Sequence, residues 1–127
     1  MKRSILISLL LSAITLSGFA QVPSNDDCAN AIAVYDGIYN GSNENATSGD
    51  SPTECGYSKT GVWLQYTATG NQEMQFKLCN TVSDMVIELY SGTCGALTCL
   101  IAEDDDCGAN PDISYTLSSG TTYLIYV

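Results

Sequence analysis

The side chains best suited to chemistry are concentrated in one acidic stretch, residues 103–112, which reads EDDDCGANPD. It supplies five carboxylates, on Glu103, Asp104, Asp105, Asp106 and Asp112. Carboxylates crowded together repel one another unless a cation or hydrogen-bond donors offset their charge. The stretch is therefore a calcium site, a catalytic acid cluster or a solvated loop that tolerates its own charge.

The spacing of this stretch excludes a calcium loop of the EF-hand type. Counted from Asp104, the sixth position holds Ala109 where the motif needs Gly, and the twelfth holds Tyr115 where it needs Glu. Calcium also accepts oxygen ligands that come from separate loops. A composite calcium site and a set of solvated loop acids both remain open.

Catalytic chemistry is poorly supported by the residue types that are present. The sequence contains no histidine, which excludes Ser-His-Asp and Cys-His catalysis as well as histidine-ligated metals. A glycosidase needs two carboxylates at a set separation in a groove, and the sequence places no such pair. We therefore predict that the protein is not an enzyme and has no catalytic residues.

The N-terminus has the features of a secretory signal peptide, over residues 1–20. Lys2 and Arg3 give a positive start, an apolar run follows, and Gly18 and Ala20 place small residues before a cleavage site. The apolar run is too short to be a membrane helix, and no later stretch is long enough to span a bilayer. We predict a secreted protein, extracellular or at the cell surface, with one domain over residues 21–127.

Loss of the signal peptide leaves a strongly acidic chain. The full sequence has a formal net charge of −10. Removing Lys2 and Arg3 makes it −12, because Lys59 and Lys77 are then the remaining cations. A surface of this sign repels phosphate backbones, so we predict that nucleic acid is not a partner.

Six cysteines in an exported chain predict a disulfide framework. A zinc site is disfavoured because Cys94, Cys99 and Cys107 are spaced more widely than the ligands of a zinc ribbon. The sequence alone does not fix the connectivity. The pairs that we predict are Cys28–Cys55, Cys79–Cys107 and Cys94–Cys99, the last of which would clip a short turn.

The elements that position these residues are predicted to be short β-strands, because apolar residues alternate with polar ones. In the clearest example Met74, Phe76 and Leu78 share one face, opposite Gln75 and Lys77. Similar alternations begin at Val62, Met85, Leu97, Ile113 and Tyr123. Strands at this spacing predict an antiparallel β-sandwich. We also predict a hairpin about Asp36-Gly37 and an irregular connection over residues 40–59, with a brief edge strand near Ala46.

The aromatic residues are predicted to divide between core and surface. Trp63 lies in a strand whose neighbours are apolar on both faces, so it is predicted to pack in the core. Tyr35, Tyr39 and Tyr57 lie near loops and are predicted to be surface contacts.

Four blocks along residues 23–127 resemble a known family when they are taken together. They read PSNDDCANAI, GVWLQYTA, LCNTVSDMVIELYSGTCGALTCLIAEDDDCG and ISYTLSSGTTYLIYV. In order and spacing the chain resembles the cysteine-containing relatives of the bacterial pre-peptidase C-terminal domain, which recur in large secreted proteins. The resemblance implies an all-β, antiparallel, jelly-roll-like β-sandwich without catalytic residues. Family members continue past the Gly-Thr-Thr-Tyr strand, so the chain is expected to be truncated and to lack its last strand.

The resemblance also implies a set of ligands and partners. Some relatives bind calcium through acidic residues at the start of the domain. This predicts a calcium site that combines two groups of residues, Asn25, Asp26 and Asp27 with Asp104, Asp105 and Asp106. The expected role is adhesion to, or targeting of, an extracellular polymer as part of a larger surface protein. The alternative is a spacer or folding helper that contacts only neighbouring domains of a secreted hydrolase.

Overall fold

The computed structural model describes residues 20–47, 50–57, 60–78, 84–105 and 111–127. Over these residues the chain forms β-strands and one short 3₁₀ helix, Cys28–Asn30. The strands are β1 (Ile32–Ala33), β2 (Trp63–Thr67), β3 (Gln72–Lys77), β4 (Ile87–Thr93), β5 (Ala96–Glu103), β6 (Asp112–Leu117) and β7 (Thr122–Tyr126). The predicted signal peptide lies outside the described residues, except for Ala20.

The strands form two sheets that pack against each other. The larger sheet has the order β1-β2-β7-β4-β5, and the smaller sheet pairs β3 with β6. All pairings are antiparallel except that of β1 with β2. The predicted all-β sandwich is therefore confirmed. The order β2-β7-β4-β5 opposite β3-β6 follows a jelly roll, in which a further strand lies on the other side of β3.

The main core lies between the two sheets. Its largest contributors are apolar side chains from the inner faces of β4, β6 and β7, among them Leu89, Ile113, Leu117 and Ile125. These residues are at most 4% exposed. Strands β2 and β3 add Tyr66 and Phe76, whose rings meet edge-on with their centroids 6.0 Å apart. Burial of this apolar surface is the principal stabilising contribution, at about 25 cal/mol per Å².

A second core lies on the outer face of the larger sheet. Trp63, Tyr90 and Tyr126 form an aromatic cluster there, with ring centroids of the Trp63–Tyr126 pair 4.9 Å apart. Loops from the N-terminal half of the chain cover this face. Strand β7 is consequently buried on both sides from Tyr123 to Tyr126. A simple alternation of buried and exposed residues therefore does not hold for the central strands.

Two disulfides fasten the covering loops to the outer face. Cys28, in the 3₁₀ helix, pairs with Cys94 in the β4–β5 turn, and Cys55 pairs with Cys99 in β5. The predicted pairs Cys28–Cys55 and Cys94–Cys99 are therefore wrong. An extended β5 carries Cys99 about 10 Å beyond Ala96, which is too far from the turn for a bond to Cys94. The predicted pair Cys79–Cys107 lies outside the described residues and stays a prediction.

The segment after β1 does not form the predicted hairpin about Asp36-Gly37. Strand β1 instead pairs in parallel with β2, and the N–H of Val34 extends this pairing by donating to the carbonyl of Gln65 (2.9 Å). The predicted edge strand near Ala46 is also wrong, because Ala46 closes a turn with Asn43. The described residues contain no helix with the length and apolar character of a membrane span.

Candidate functional site

Two of the three residues predicted as calcium ligands near the N-terminus, Asn25 and Asp26, make side-chain hydrogen bonds. The amide of Asn25 donates to the carbonyl of Trp63 at 2.9 Å, and Asn25 is only 5% exposed. The carboxylate of Asp26 accepts two bonds from Thr47, one from its N–H at 2.6 Å and one from its hydroxyl at 2.5 Å. Asp27 is the N-cap residue of the 3₁₀ helix but makes no side-chain cap bond. These contacts organise the loop that covers the outer core.

The acidic stretch contributes to a different cluster. One carboxylate oxygen from each of Asp84, Asp104 and Asp105 lies within 4.8 Å of the others. The β4–β5 register explains this, because Ile87 lies opposite Glu103 and the residues just beyond the pair converge. Asp26 and Asp27 are not part of this acidic triad, and Asp106 lies outside the described residues. Sequence reasoning missed Asp84, which only the hairpin register brings to Asp104.

A groove of about 420 Å³ lies between the two sheets, beside β3. We call it the β3-edge groove. Its floor consists of residues from the larger sheet, chiefly Leu64, Tyr66 and Ile125. Its wall consists of the half-buried apolar face of β3, Met74, Phe76 and the adjoining Leu78. The groove is open because the larger sheet extends past β3 on this side.

The opposite rim of the groove is residues 34–39. Tyr35 and Tyr39 line the groove and are 83% and 45% exposed, and the neighbouring Ile38 is 93% exposed. The hydroxyl of Tyr66 donates to Asp36 at 2.6 Å and so ties this rim to the floor. The same hydrogen bond, reinforced by burial, raises the pKa of Tyr66. The hydroxyl consequently stays protonated and keeps donating at neutral pH.

The exposed edge of β3 also carries backbone groups that can accept another strand. The N–H of Leu78 donates to the carbonyl of Pro111, which fixes the hydrogen-bonded positions of the β3–β6 ladder. Backbone groups alternate in direction along an antiparallel pair. Those of Glu73 and Gln75 therefore point away from β6, and within the described ranges neither residue bonds through them to another strand. A sheet edge of this kind is a template for strand pairing.

A smaller cavity of about 40 Å³ lies where β4 begins and β7 ends, next to Glu88. Glu88 is 1% exposed, and its Oε2 accepts a hydrogen bond from the hydroxyl of Tyr90 at 2.7 Å. Burial raises the pKa of Glu88, and the bond from Tyr90 offsets this only in part. A cavity of this size holds ordered water rather than a substrate.

The aromatic residues divide as the sequence predicted, with one exception. Trp63 is 1% exposed and packs in the outer core, as its apolar neighbours indicated. Tyr35 and Tyr39 are exposed, as predicted for surface contacts. Tyr57, which was predicted to be like them, is half-buried beside the small cavity. The groove itself could not be read from the sequence, because its walls come from strands that are distant along the chain.

No family model matches the chain, and neither a curated protein nor a solved structure matches it. The resemblance to the pre-peptidase C-terminal domain therefore stays a prediction.

Proposed function

We propose that this protein is a secreted, non-catalytic binding module that attaches a larger extracellular protein to a polymer through the β3-edge groove. The observation that carries this proposal is the groove itself, an apolar channel whose rim exposes Tyr35, Ile38 and Tyr39. Clustered apolar residues on a surface mark interaction sites more often than chance exposure does. Aromatic rings of this kind also stack well on ligands.

The rest of the molecule supports an extracellular accessory role. Two disulfides are typical of a chain that folds in an oxidising compartment. The two disulfides hold the covering loops on the outer face of the larger sheet. The groove lies on the inner face of the same sheet. A rigid scaffold that presents an open groove suits a binding domain. Membership of the pre-peptidase C-terminal domain family is part of this proposal.

The proposal is tested by binding of the purified protein to collagen, chitin, cellulose and host glycans. At least one polymer should bind, and the double variant Tyr35→Ala/Tyr39→Ala should weaken that binding about tenfold or more. The matched control is Val22→Ala, because Val22 is 43% exposed but does not line the groove. If the tyrosine variant binds every polymer as tightly as the unmodified protein does, the groove is not the binding site.

The competing function is a ligand-free spacer or folding helper beside a secreted hydrolase. It predicts no binding to any of these polymers. It also predicts a higher refolding yield for a neighbouring hydrolase domain when the two are joined in one chain. The polymer-binding assay and the refolding yield therefore distinguish the two functions.

Calcium binding is a second candidate function, favoured by the acidic triad of Asp84, Asp104 and Asp105. Calcium takes several carboxylate oxygens, and a cation between these three would relieve their mutual repulsion. We expect calcium to raise the melting temperature of the protein and Asp84→Asn to abolish this rise. Asp27→Asn serves as the control, because Asp27 lies outside the triad. An equal rise in both variants would exclude the triad as the site.

A further inference from the structure

We propose that Asn40 is a site of spontaneous chemical modification, at which the backbone nitrogen of Gly41 attacks the side-chain amide and converts the asparagine into aspartate and isoaspartate. Water is the co-reactant, and no enzyme is required. This inference goes beyond the proposed function and does not depend on it, because it concerns the reactivity of one loop and not the binding of a ligand. It rests on the exposure and hydrogen bonds of the asparagines that the structure describes.

The reaction joins two groups on adjacent residues. A bond forms between the backbone nitrogen of Gly41 and Cγ of Asn40, the backbone nitrogen loses its proton, and the side-chain nitrogen leaves as ammonia. Water then opens the five-membered succinimide ring at either of its carbonyl groups, which gives aspartate or isoaspartate. Because both groups are held in one chain, their encounter costs little entropy. The rate therefore depends on whether the backbone N–H and the side chain are free to react.

The first argument is that both reacting groups are free at this position. Asn40 and Gly41 are exposed and lie in the irregular connection between β1 and β2. Within the part of the chain that the structure describes, no hydrogen bond engages the side chain of Asn40 or the N–H of Gly41. Base from the solvent can therefore reach the proton that must be removed before the nitrogen attacks.

The second argument is that the residue after Asn40 is a glycine. Glycine has no Cβ to obstruct the ring closure, and its backbone reaches conformations that other residues avoid. The ring of Tyr39 lies over this position, because a Cβ at residue 41 would be only 2.7 Å from Cε1 of that ring. The packing of Tyr39 therefore favours the residue that makes Asn40 reactive.

The third argument is that every other asparagine among the described residues lacks one of these free groups. Where the N–H of the following residue already donates a hydrogen bond, the nucleophile is withheld; this is so after Asn30, Asn43 and Asn45. Elsewhere the side chain itself is bonded. Asn25 donates to the carbonyl of Trp63 at 2.9 Å, and Asn71 accepts from the N–H of Ser119 at 2.8 Å. All of the conditions therefore coincide at Asn40.

The product would change the rim of the β3-edge groove. Aspartate and isoaspartate both carry a carboxylate in place of the neutral amide, in a chain that is already strongly acidic. Isoaspartate also adds a carbon atom to the backbone directly after Tyr39. Because Tyr39 lines the groove, the modification alters this surface as the protein ages.

The inference is tested by incubating the purified protein in warm, mildly alkaline buffer and mapping its peptides by mass spectrometry. Aspartate and isoaspartate should accumulate at Asn40 about tenfold faster, or more, than at Asn45 and Asn71. The same measurement on the chain unfolded in guanidinium chloride separates the effect of structure from that of sequence. Asn40 should react at nearly the same rate in both states, whereas folding should slow the reaction at Asn45 and Asn71.

Two glycine variants test the role of Gly41. Gly41→Ala should slow the conversion of Asn40 about tenfold or more, because a side chain hinders the approach of the nitrogen. Gly70→Ala is the matched control and should leave the conversion unchanged. Gly70 does not follow an asparagine, and a Cβ there would lie 3.7 Å from its nearest neighbour, an ordinary contact distance.

A third variant, Asn40→Gln, gives a readout that does not depend on how Gly41→Ala affects Tyr39. It should remove the acidic species that the unmodified protein accumulates on isoelectric focusing. Conversion of Asn40 that folding slows about tenfold or more would overturn the inference. Equal conversion in Gly41→Ala and the unmodified protein, or acidic species that persist in Asn40→Gln at the same level, would overturn it as well.

Discussion

Asn25 and Trp63 hold each other through two hydrogen bonds beside the start of β2. The N–H of Trp63 donates to the carbonyl of Asn25 at 2.8 Å, and the side-chain amide of Asn25 donates back to the carbonyl of Trp63 at 2.9 Å. Asn25 thereby satisfies the backbone of a buried strand end with its side chain. Asp26 and Asp27, which were predicted to bind calcium, lie in the same loop. The contact of Asp26 with Thr47 holds that loop in place.

We predict that Asn25→Ala lowers the free energy of unfolding by about 1–3 kcal/mol, because the buried carbonyl of Trp63 loses its donor. Urea unfolding followed by tryptophan fluorescence measures this directly. Asn30→Ala is the control, since Asn30 is exposed at the end of the 3₁₀ helix. Equal stability of the two variants would show that the Asn25–Trp63 bond contributes nothing.

The connectivity of the cysteines is a second prediction. Proteolysis without reduction should release linked peptides that contain Cys28–Cys94 and Cys55–Cys99. The two remaining cysteines are predicted to form Cys79–Cys107. Each bridge closes a long loop, of 66 and 44 residues in sequence separation, so loss of either one alone should cost about 4 kcal/mol. Recovery of a Cys94–Cys99 peptide would refute the described attachment of the loops.

Glu88 gives a prediction about pH. Burial raises its pKa in the folded protein above the ordinary value near 4.5. At a pH between 4.5 and that raised pKa, Glu88 keeps a proton in the folded protein that it has released in the unfolded chain. The contribution of Glu88 to stability is therefore full below about pH 4.5 and falls as pH rises toward the native pKa, at up to about 1.4 kcal/mol per pH unit. Above the native pKa the loss is complete and constant.

The variant Glu88→Gln isolates this effect, because a neutral amide does not titrate. Relative to the variant, the wild-type protein should lose stability as the pH is raised above about 4.5. Glu44→Gln provides the control at an exposed position. A difference between wild type and Glu88→Gln that does not change with pH would contradict a raised pKa for Glu88.

The sequence predicted the strands well, because alternation of apolar residues reflects the inner core directly. It predicted that Trp63 is buried and that Met74 and Phe76 share the inward face of β3. It failed where burial depends on loops that are distant along the chain. Glu88 occupies a position that alternation assigns to solvent, yet the loop that Cys55 attaches to β5 lies over that face and buries it.

The candidate site was harder to predict for the same reason. The acidic stretch indicated charge, but only the β4–β5 register brings Asp84 to Asp104. The disulfide pairs were chosen from proximity along the chain, whereas Cys28 and Cys55 each reach across to the β4–β5 hairpin. The groove depends on the absence of a strand beside β3 among the described residues, and no local sequence pattern encodes that arrangement.

The account depends most directly on the open edge of β3, which hydrogen exchange of the purified protein measures without any ligand. Amides that are bonded to β6, those of Met74 and Phe76, should exchange slowly. Amides that point into the groove, those of Glu73 and Gln75, should exchange at rates close to those of an exposed chain. Strong protection of all four amides would mean that β3 already has a strand partner on both sides, and the groove would not be a binding site.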